Sequence, residues 1–462
     1  MIRFVATACI LICFLSEACH YTGTDTIDAR VPDGTQEEDS SGQEDDALPN
    51  GESDVADSSD QADDGRVELI IVDERLGDPS LSYWNPEFTP DGRYMIWFEP
   101  TSAPMPDGRV YGKIWHCAID PDTGNMVPSD GRGFYAFPST VWTRANAGAD
   151  RDGAYYVGQY ASENQDPNNG KLVHVRPTGP TTGVVTVITE SLAKERRRSI
   201  FPTTLQERGQ NEQFIWWLEN DTGYTPSAAE EVELRFISLA EPAVEYVITK
   251  QQAPGPKWSP MDTTYVRLVK GTSFLTLGVP VGTNIEVATF DLTSPTDGLT
   301  QVTQDGRHKL DPYSFGYQGQ WYFIAGVNGT DESVLYRASS LREQFLPVET
   351  IVPAGDSEIA SQDRCQPQSH EIFIFRGRLW SAFQIADCSS GSNFLTRRGE
   401  IWLTSWFESP AITMRISHNG PEANNEPEPV VGKDRVWIFY TAYPAGQSPL
   451  SVQYELRRIT IQ

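Results

Sequence analysis

The chain has 462 residues, of which 64 are acidic and 36 are lysine or arginine, so its formal net charge is −28. A chain this acidic is not expected to bind nucleic acid, because nucleic-acid binding depends on clustered positive charge. Hydrophobic residues make up 39% of the chain, which is enough for a sizeable core, but beyond the amino terminus no apolar run is long enough to cross a bilayer.

Residues 1–19 have the pattern of an export signal. A basic residue, Arg3, precedes an apolar run over residues 4–15, and Ser16-Glu-Ala-Cys19 follows. About a dozen apolar residues are too few to span a bilayer, which is typical of a signal peptide. A small residue before a cysteine at this point resembles the lipobox of bacterial lipoproteins. We therefore expect an exported cell-envelope protein with a lipid anchor on Cys19. The alternative is simple cleavage without lipidation.

Residues 20–65 form an acidic, low-complexity tract. It holds 15 aspartates and glutamates, a single arginine and almost no aromatic residues. Such a segment cannot bury a core and repels itself, so we expect a disordered tether that holds the folded domain away from a membrane.

The rest of the chain, residues 66–462, repeats a hairpin pattern about seven times at intervals of roughly 50–60 residues. In the clearest copy, Asn85–Arg93 (NPEFTPDGR) supplies a short strand and a Pro-Asp-Gly turn, and Tyr94–Phe98 supplies an apolar strand. Four-stranded units at this period predict a β-propeller. We predict an all-β fold with seven four-stranded blades. A six-bladed ring with one irregular repeat is the alternative.

Each copy contains a turn followed by a strand rich in β-branched and aromatic residues, which fit a packed pleated surface. The predicted turns lie near Asp91, Asp152, Arg208, Ser259, Gln318, Gly377 and Lys433. The strands after them are predicted at residues 95–98, 154–157, 214–218, 265–269, 321–324, 379–383 and 436–440.

The last repeat is short, and the domain begins with a spare apolar segment at residues 67–72. A propeller ring closes well when a strand from one terminus completes the last blade, because this removes an open sheet edge. We therefore predict that Val67–Val72 forms the outer strand of the last blade.

Three cysteines remain after the signal region. Cys365 and Cys388 lie 12 and 11 residues from Gly377 in a predicted turn. In a regular antiparallel hairpin they would face each other within disulfide reach, and an exported protein permits the bond. We predict this disulfide, and we expect Cys117 to be a buried free thiol.

Basic residues are concentrated just before the predicted blades, in a chain that is otherwise acidic. In a propeller these segments meet at one face of the central channel. Positive charge there would attract an anion, and arginine binds carboxylates through paired hydrogen bonds. The alternative is scattered, solvated surface charge. The candidate ligand-binding residues are Arg144, Arg196, Arg197, Arg198, Lys257, His308, Lys309, Asp311, Arg364 and Gln366.

No motif predicts a cofactor or a metal site. His308, His370 and His418 lie near successive blade starts, but no local ligand spacing links them. Asp311 and Glu428 are candidate carboxylates for glycoside chemistry, which requires a pair at a defined separation.

The segment Asn85–Phe98 resembles the WD-like repeat of the Tol-system periplasmic propeller and its relatives, with Thr89 in place of the usual serine. Residues 255–260 (GPKWSP) are a second, partial copy. The resemblance implies a propeller more than it implies an activity, since one fold hosts many functions.

The sequence is compatible with two functions. The first is a monomeric, envelope-tethered, non-catalytic binding or scaffold propeller whose partner is an acidic glycan or an envelope protein. The second is an enzyme acting on acidic polysaccharide as a lyase or hydrolase, similar to the seven-bladed oligogalacturonate lyases. Those use a channel-face cluster of His and Gln, and Gln366 and His370 lie in a comparable region.

Overall fold

The computed structural model describes residues 69–89, 91–101, 111–140, 145–146, 155–159, 171–189, 197–205, 212–220, 232–238, 245–248, 267–269, 272–354, 356–389, 397–408, 411–418, 420–447 and 453–462. These residues form antiparallel strands in seven sheets, with two short 3-10 turns at Pro295–Asp297 and Ser361–Asp363. Within these ranges no helix is long and apolar enough to cross a bilayer. The predicted all-β propeller class is confirmed, and the count of seven blades stays a prediction.

Strands that follow one another along the chain pair with each other in antiparallel sheets, as expected for a series of hairpins. Their bounds are β1 Ile71–Leu76, β2 Trp84–Phe88, β3 Tyr94–Pro100, β4 Tyr111–Ile119, β5 Met126–Val127, β6 Phe134–Thr140, β7 Ala145–Asn146, β8 Tyr155–Gln159, β9 Lys171–Gly179, β10 Thr182–Thr189, β11 Arg197–Leu205, β12 Glu212–Asn220, β13 Val232–Ser238, β14 Glu245–Ile248, β15 Arg267–Leu268, β16 Phe274–Val281, β17 Asn284–Asp291, β18 Leu299–Gln301, β19 Lys309–Tyr317, β20 Gln320–Val327, β21 Ser333–Ala338, β22 Leu346–Ile351, β23 Arg364–Phe375, β24 Arg378–Asp387, β25 Gly399–Trp406, β26 Thr413–Arg415, β27 Glu422–Val431, β28 Val436–Pro444 and β29 Glu455–Ile461.

Sheet 1 contains β2–β6, sheet 2 β7–β10, sheet 3 β11–β14, sheet 4 β15–β18, sheet 5 β19–β22 and sheet 6 β23–β26, while sheet 7 contains β27–β29 together with β1. The first strand of each sheet in chain order, excluding β1, is called its inner strand. Contacts between successive sheets involve these strands, as in β19 with β23 and β23 with β27, and β27 also contacts β2. The last sheet is thus packed against the first.

The N-terminal strand completes sheet 7, as predicted. β1 pairs with β29, with Ile71 opposite Ile461 and Leu76 opposite Leu456. β1 spans Ile71–Leu76, so the pairing extends four residues beyond the predicted end at Val72. Residues 67 and 68 lie outside the described ranges.

Large aromatic side chains fill the spaces between sheets. Phe88 of sheet 1 packs on Phe439 of sheet 7 with ring centroids 4.7 Å apart, and Trp97 and Trp437 are fully buried in the same cluster. Each such ring removes a large apolar surface from water, so burial between blades is a main source of stability.

The predicted turns at Asp91, Gln318, Gly377 and Lys433 lie between an inner strand and its neighbour, as expected. The prediction for sheet 4 was wrong. Arg267–Leu268 is the inner strand β15, and the turn follows it, with the amide of Thr272 donating to the carbonyl of Val269. The Trp-Ser-Pro segment before it had suggested a turn near Ser259, which lies outside the described residues, as do those near Asp152 and Arg208.

Candidate functional site

Five inner strands, β2, β11, β19, β23 and β27, carry register shifts typical of β-bulges, which interrupt their pairing with the second strand. In β23 the register shifts twice within seven residues. Bulges bend a strand and re-aim its side chains, and they occur often next to binding sites. The side of the propeller at which the inner strands begin is called the strand-start face. The connections β20–β21 and β24–β25 lie on the same side, because neighbouring strands are antiparallel.

Backbone strain is concentrated in these bulged segments. Asp311, Gln366, Ser369 and Glu426 have φ values of 46°, 52°, 53° and 57°, in the left-handed region that favours glycine. Each such conformation costs roughly 1–3 kcal/mol, and residues of this kind are enriched at binding and catalytic sites. Three of the four lie in the adjacent strands β19 and β23, which places the candidate site there.

Buried carboxylates occupy equivalent positions in three neighbouring sheets. Glu371, Glu428 and Glu87 each follow a bulge directly and pair with the second strand at Ala382, Phe439 and Ile96. Their exposed fractions are 0%, 0% and 1%. Each takes part in further polar or electrostatic contacts, as a buried polar group must. Together they place a series of carboxyl groups in the inner strands, behind the strand-start face.

Asp311 adds a fourth buried carboxylate and links two sheets. Its Oδ2 accepts a 2.7 Å hydrogen bond from the backbone amide of Ser369, which joins β19 to β23. Two residues with left-handed backbones therefore stabilise each other's positions across the boundary between sheets 5 and 6.

Arg397, Gln366 and Asn328 form a row of hydrogen-bonding groups at the strand-start face. Arg397 Nη1 donates to Gln366 Oε1 at 3.3 Å, and Gln366 Nε2 donates to Asn328 Oδ1 at 3.3 Å. The amide of Gln366 also donates to the carbonyl of Thr330 at 2.9 Å, which fixes its backbone. Arg397 and Gln366 are half-buried and Asn328 is exposed. We call these three residues the guanidinium–amide row.

The predicted disulfide between Cys365 and Cys388 is present, with a Cα–Cα distance of 6.0 Å, and it lies beside this row. Arg397 Nη1 is 2.8 Å from Cys388 Sγ. Burial lowers the pKa of Arg397, while the charge of Asp387 raises it. Removal of the guanidinium from water makes it a better partner for an anion than an exposed arginine would be. Cys117 is a buried free thiol, as expected.

The predicted cationic residues have different surroundings. Arg144, Arg196 and Lys257 lie outside the described residues, as do the side chains of Arg197 and Arg198 at the start of β11. Arg364 donates to the carbonyl of Pro353 at 2.8 Å and approaches Asp331 Oδ2 at 3.6 Å. The Arg364 guanidinium therefore already has a carbonyl and a carboxylate of the protein as partners.

Lys309 is fully buried in an ion-pair network. Its Nζ lies 2.6 Å from Glu286 Oε2 and also contacts Asp305, and Tyr336 donates to Asp305 at 2.7 Å. This cluster joins sheets 4 and 5. The positive charge of Lys309 is neutralised within it and does not contribute to the field at the strand-start face.

The three histidines belong to separate local contacts. His308 is half-buried, and its carbonyl accepts from the amide of Asn328 at 2.9 Å. His370 is fully buried, lies 3.2 Å from Ser333 Oγ and packs on Phe383. His418 contacts the N-terminal strand, with its amide donating to Asp73 Oδ2 at 2.7 Å. In the part of the chain that the structure describes, no group of three His, Cys, Asp or Glu is arranged to hold a metal ion.

Sequence reasoning missed Arg397, Asn328, Glu371 and Glu87. The prediction considered only the segments directly before each blade, whereas Asn328 and Arg397 belong to the connections β20–β21 and β24–β25. Because strands alternate in direction, those connections return to the same face. This alternation was available from the sequence and would have added both to the candidate set.

No protein-family model matches the chain, and no curated protein matches its sequence. Solved structures of similar fold include an oligogalacturonate lyase from Vibrio parahaemolyticus, at 10% identity and a TM-score of 0.46 over 85% of this chain and 97% of that one. A mutant Trypanosoma rangeli sialidase displaying trans-sialidase activity has 10% identity and a TM-score of 0.43 over 84% of this chain and 60% of that one. A prolyl endopeptidase has 13% identity and a TM-score of 0.42 over 80% and 47%. The chain thus spans only about half of the prolyl endopeptidase chain and three fifths of the sialidase chain.

Proposed function

We propose that this propeller binds an acidic glycan at the strand-start face of sheets 5 and 6. The guanidinium–amide row supports the proposal. A half-buried guanidinium can bind a carboxylate through two parallel hydrogen bonds, and flanking amides can both donate to and accept from sugar hydroxyls. Arg144, Arg196, Arg197, Arg198 and Lys257 remain candidates for further contacts along the same ligand.

Binding assays with Arg397 variants test this proposal. Binding of polyuronate and sulfated oligosaccharides would be measured by calorimetry at two salt concentrations. We expect binding that weakens with salt, and a loss of at least tenfold in Arg397→Gln. Arg397→Lys should recover little, because lysine cannot form the paired bonds. Arg398→Gln is the matched control, since the adjacent Arg398 is engaged by Glu358. Equal affinity in Arg397→Gln and the parent protein would refute the site.

The second candidate is an enzyme that cleaves acidic polysaccharide, and the carboxylates of the inner strands favour it. Asp311, Glu371 and Glu428 lie behind the same face, and glycoside cleavage requires paired carboxyl groups. Incubation with polyuronates, followed by detection of new reducing ends and of unsaturated ends, tests this function. Products that disappear in Glu371→Gln would support hydrolase or lyase activity. Binding without products would support the non-catalytic function.

We also propose that the protein is exported and lipid-anchored through Cys19, as a monomer, and that it is related to the Tol-system propellers. The amino-terminal pattern and the Asn85–Phe98 repeat support this. Metabolic labelling with a radioactive fatty acid in a bacterial host should label the full chain and not Cys19→Ser. Labelling of both would exclude Cys19 as the anchor.

A further inference from the structure

A second group of aromatic residues lies at the opposite end of the inner strands, on the side called the hairpin-turn face. Tyr317 ends β19, and Phe407 follows β25 directly. Their rings are parallel to within 4°, with centroids 5.8 Å apart. Tyr322 lies beneath both, 5.5 Å from Phe407 and 6.4 Å from Tyr317 in edge-on contacts. Tyr322 is itself buried against the core between sheets 5 and 6, so the parallel pair rests on a rigid base.

The Phe407 side chain is largely exposed to solvent although it contacts both Tyr317 and Tyr322. It is 46% exposed, so one side packs on the protein while the other faces solvent. Its φ is 64°, a left-handed conformation that is a genuine outlier for a bulky aromatic residue. A Glu349 carboxylate oxygen accepts a 3.1 Å hydrogen bond from its backbone amide and fixes that conformation. Glycine would occupy this position with less strain. Stability alone therefore does not account for a phenylalanine here.

Polar groups adjoin the aromatic pair. The side-chain amide of the exposed Gln318 donates to the Tyr317 hydroxyl at 3.2 Å. Glu408, the next residue after Phe407, pairs with Arg378 at 3.5 Å. An aromatic face bordered by amide, hydroxyl and charged groups differs from a purely apolar patch, which would suit a lipid surface or a large protein interface.

We propose that Phe407 and Tyr317 form a carbohydrate-binding platform on which one face of a pyranose ring stacks. A pyranose has an apolar face of C–H groups, whose slight positive charge is attracted to the negative face of an aromatic ring. Its edge carries hydroxyls, for which Gln318, Glu408 and Arg378 supply donors and acceptors. The platform does not require an acidic sugar, since its central contact is apolar.

This platform is separate from the guanidinium–amide row and goes beyond the function proposed for it. The two lie at opposite ends of the same pair of blades, because β19 and β23 begin at one and end at the other. A polysaccharide could bind at either site alone, so an experiment can refute one proposed site and leave the other supported.

Saturation-transfer NMR with neutral and acidic oligosaccharides tests the platform on the purified chain. We expect transfer from aromatic protons to the C–H protons of one sugar face. Phe407→Gly should weaken that binding at least tenfold, while the chain keeps a cooperative melting transition, because glycine relieves the backbone strain as the ring contacts are lost. Phe407→Trp should retain binding. Arg376→Gly is the matched control, since Arg376 lies in a turn on the same face with φ of 52° and should leave binding unchanged.

The possible outcomes are distinguishable. Unchanged sugar binding in Phe407→Gly would overturn the proposal. The absence of saturation transfer to every sugar tested would also overturn it, and this holds even if the wild-type chain bound lipid vesicles or a protein instead. Arg397→Gln should leave the Phe407-dependent signal intact, and loss of that signal in Arg397→Gln would mean that only the strand-start site exists.

Discussion

The Tyr440 hydroxyl donates a 2.7 Å hydrogen bond to Asp73 Oδ2, which ties the N-terminal strand to β28 of the last sheet. Arg457 Nε lies 3.3 Å from the other carboxylate oxygen of Asp73, and 3.0 Å from the Tyr440 oxygen. The amide of His418 donates to Oδ2 as well. One carboxylate thus joins β1 to β28, to β29 and to the connection between β26 and β27.

This arrangement predicts an acid-sensitive closure. Burial raises the pKa of Asp73, but hydrogen bonds from His418 and Tyr440 and the charge of Arg457 together hold it below 3.8. Because the folded-state pKa is the lower one, Asp73 stabilises the fold above pH 3.8, and this contribution is lost as the pH falls through the folded-state value. We expect Asp73→Asn to lower the melting temperature at neutral pH and to reduce its further drop in acid. The exposed Asp434→Asn is the control. Parallel pH profiles for Asp73→Asn and the parent would contradict the prediction.

His116 predicts a second pH effect in a different range. Its ring is fully buried, 2.8 Å from the Tyr155 hydroxyl and stacked on Phe134. Burial lowers the pKa of His116 from 6.5 to about 4, although backbone hydrogen bonds involving Thr182 and Gly179 raise it.

His116 is thus neutral when folded and protonated when unfolded at mildly acidic pH. Its stabilising contribution is complete above pH 6.5 and is lost as the pH falls from 6.5 to about 4. The loss is on the order of 3 kcal/mol. We expect the free energy of unfolding, measured with urea, to fall between pH 6.5 and about pH 4 in the parent chain and in the control His308→Gln. In His116→Gln this fall should be absent. If His116→Gln shows the same fall, another titrating group causes it.

The buried Lys309 predicts a strong non-additive effect. Lys309→Met removes the cation that neutralises Glu286, which is only 2% exposed. An uncompensated buried charge costs about 3–5 kcal/mol, so the free energy of unfolding should fall by that amount. Adding Glu286→Gln should restore a large part of it, because the remaining group is neutral. A double-mutant cycle by chemical denaturation measures the coupling. Additive losses would mean that the two charges do not depend on each other.

The disulfide predicts both a stability loss and a binding loss. It closes a loop with a sequence separation of 23 residues, for which chain entropy predicts about 3 kcal/mol. Replacing Cys365 and Cys388 with alanine should lower the free energy of unfolding by that order. Since Arg397 contacts Cys388, affinity for acidic glycan should fall too. The same changes should leave the Phe407-dependent signal unaltered, which distinguishes a local effect from general unfolding.

The hairpins were predictable because tight turns need particular residues. Gly92 and Gly377 have φ of 67° and 73°, and their neighbours mark the turns clearly. The hairpin of sheet 4 was mispredicted because its inner strand β15 is only two residues long. Such a short strand shows no recognisable alternation of apolar and polar residues.

The disulfide was predicted correctly although the register assumed for it was wrong. Two bulges shift the pairing, so Cys365 lies opposite Ala386 and not opposite Cys388. The amide of Cys388 instead donates to the carbonyl of Asp363, which turns the chain back toward Cys365. Bulges leave little local signal in a sequence, since they are stabilised by contacts between sheets such as that of Asp311 with Ser369.

The candidate site was less predictable than the fold for a similar reason. The sequence gives the charge of Lys309 and Arg364, but which carboxylate or carbonyl lies beside each depends on distant segments. The position of the Arg397 side chain is determined by its contacts with Cys388 and Gln366, and no local sequence pattern predicts these contacts.

The pairing of Ile71 with Ile461 has a consequence for how the protein is made. The two residues are separated by almost the whole folded domain, so β1 must wait for its partner until the ribosome has passed residue 461. Contacts between such distant segments form slowly, because a very long loop has to be closed first. Until β1 has paired with it, β29 is an unpaired edge strand of the last sheet, to which other chains can add. A chaperone that covers this edge should therefore act late in biosynthesis, after the other blades have folded.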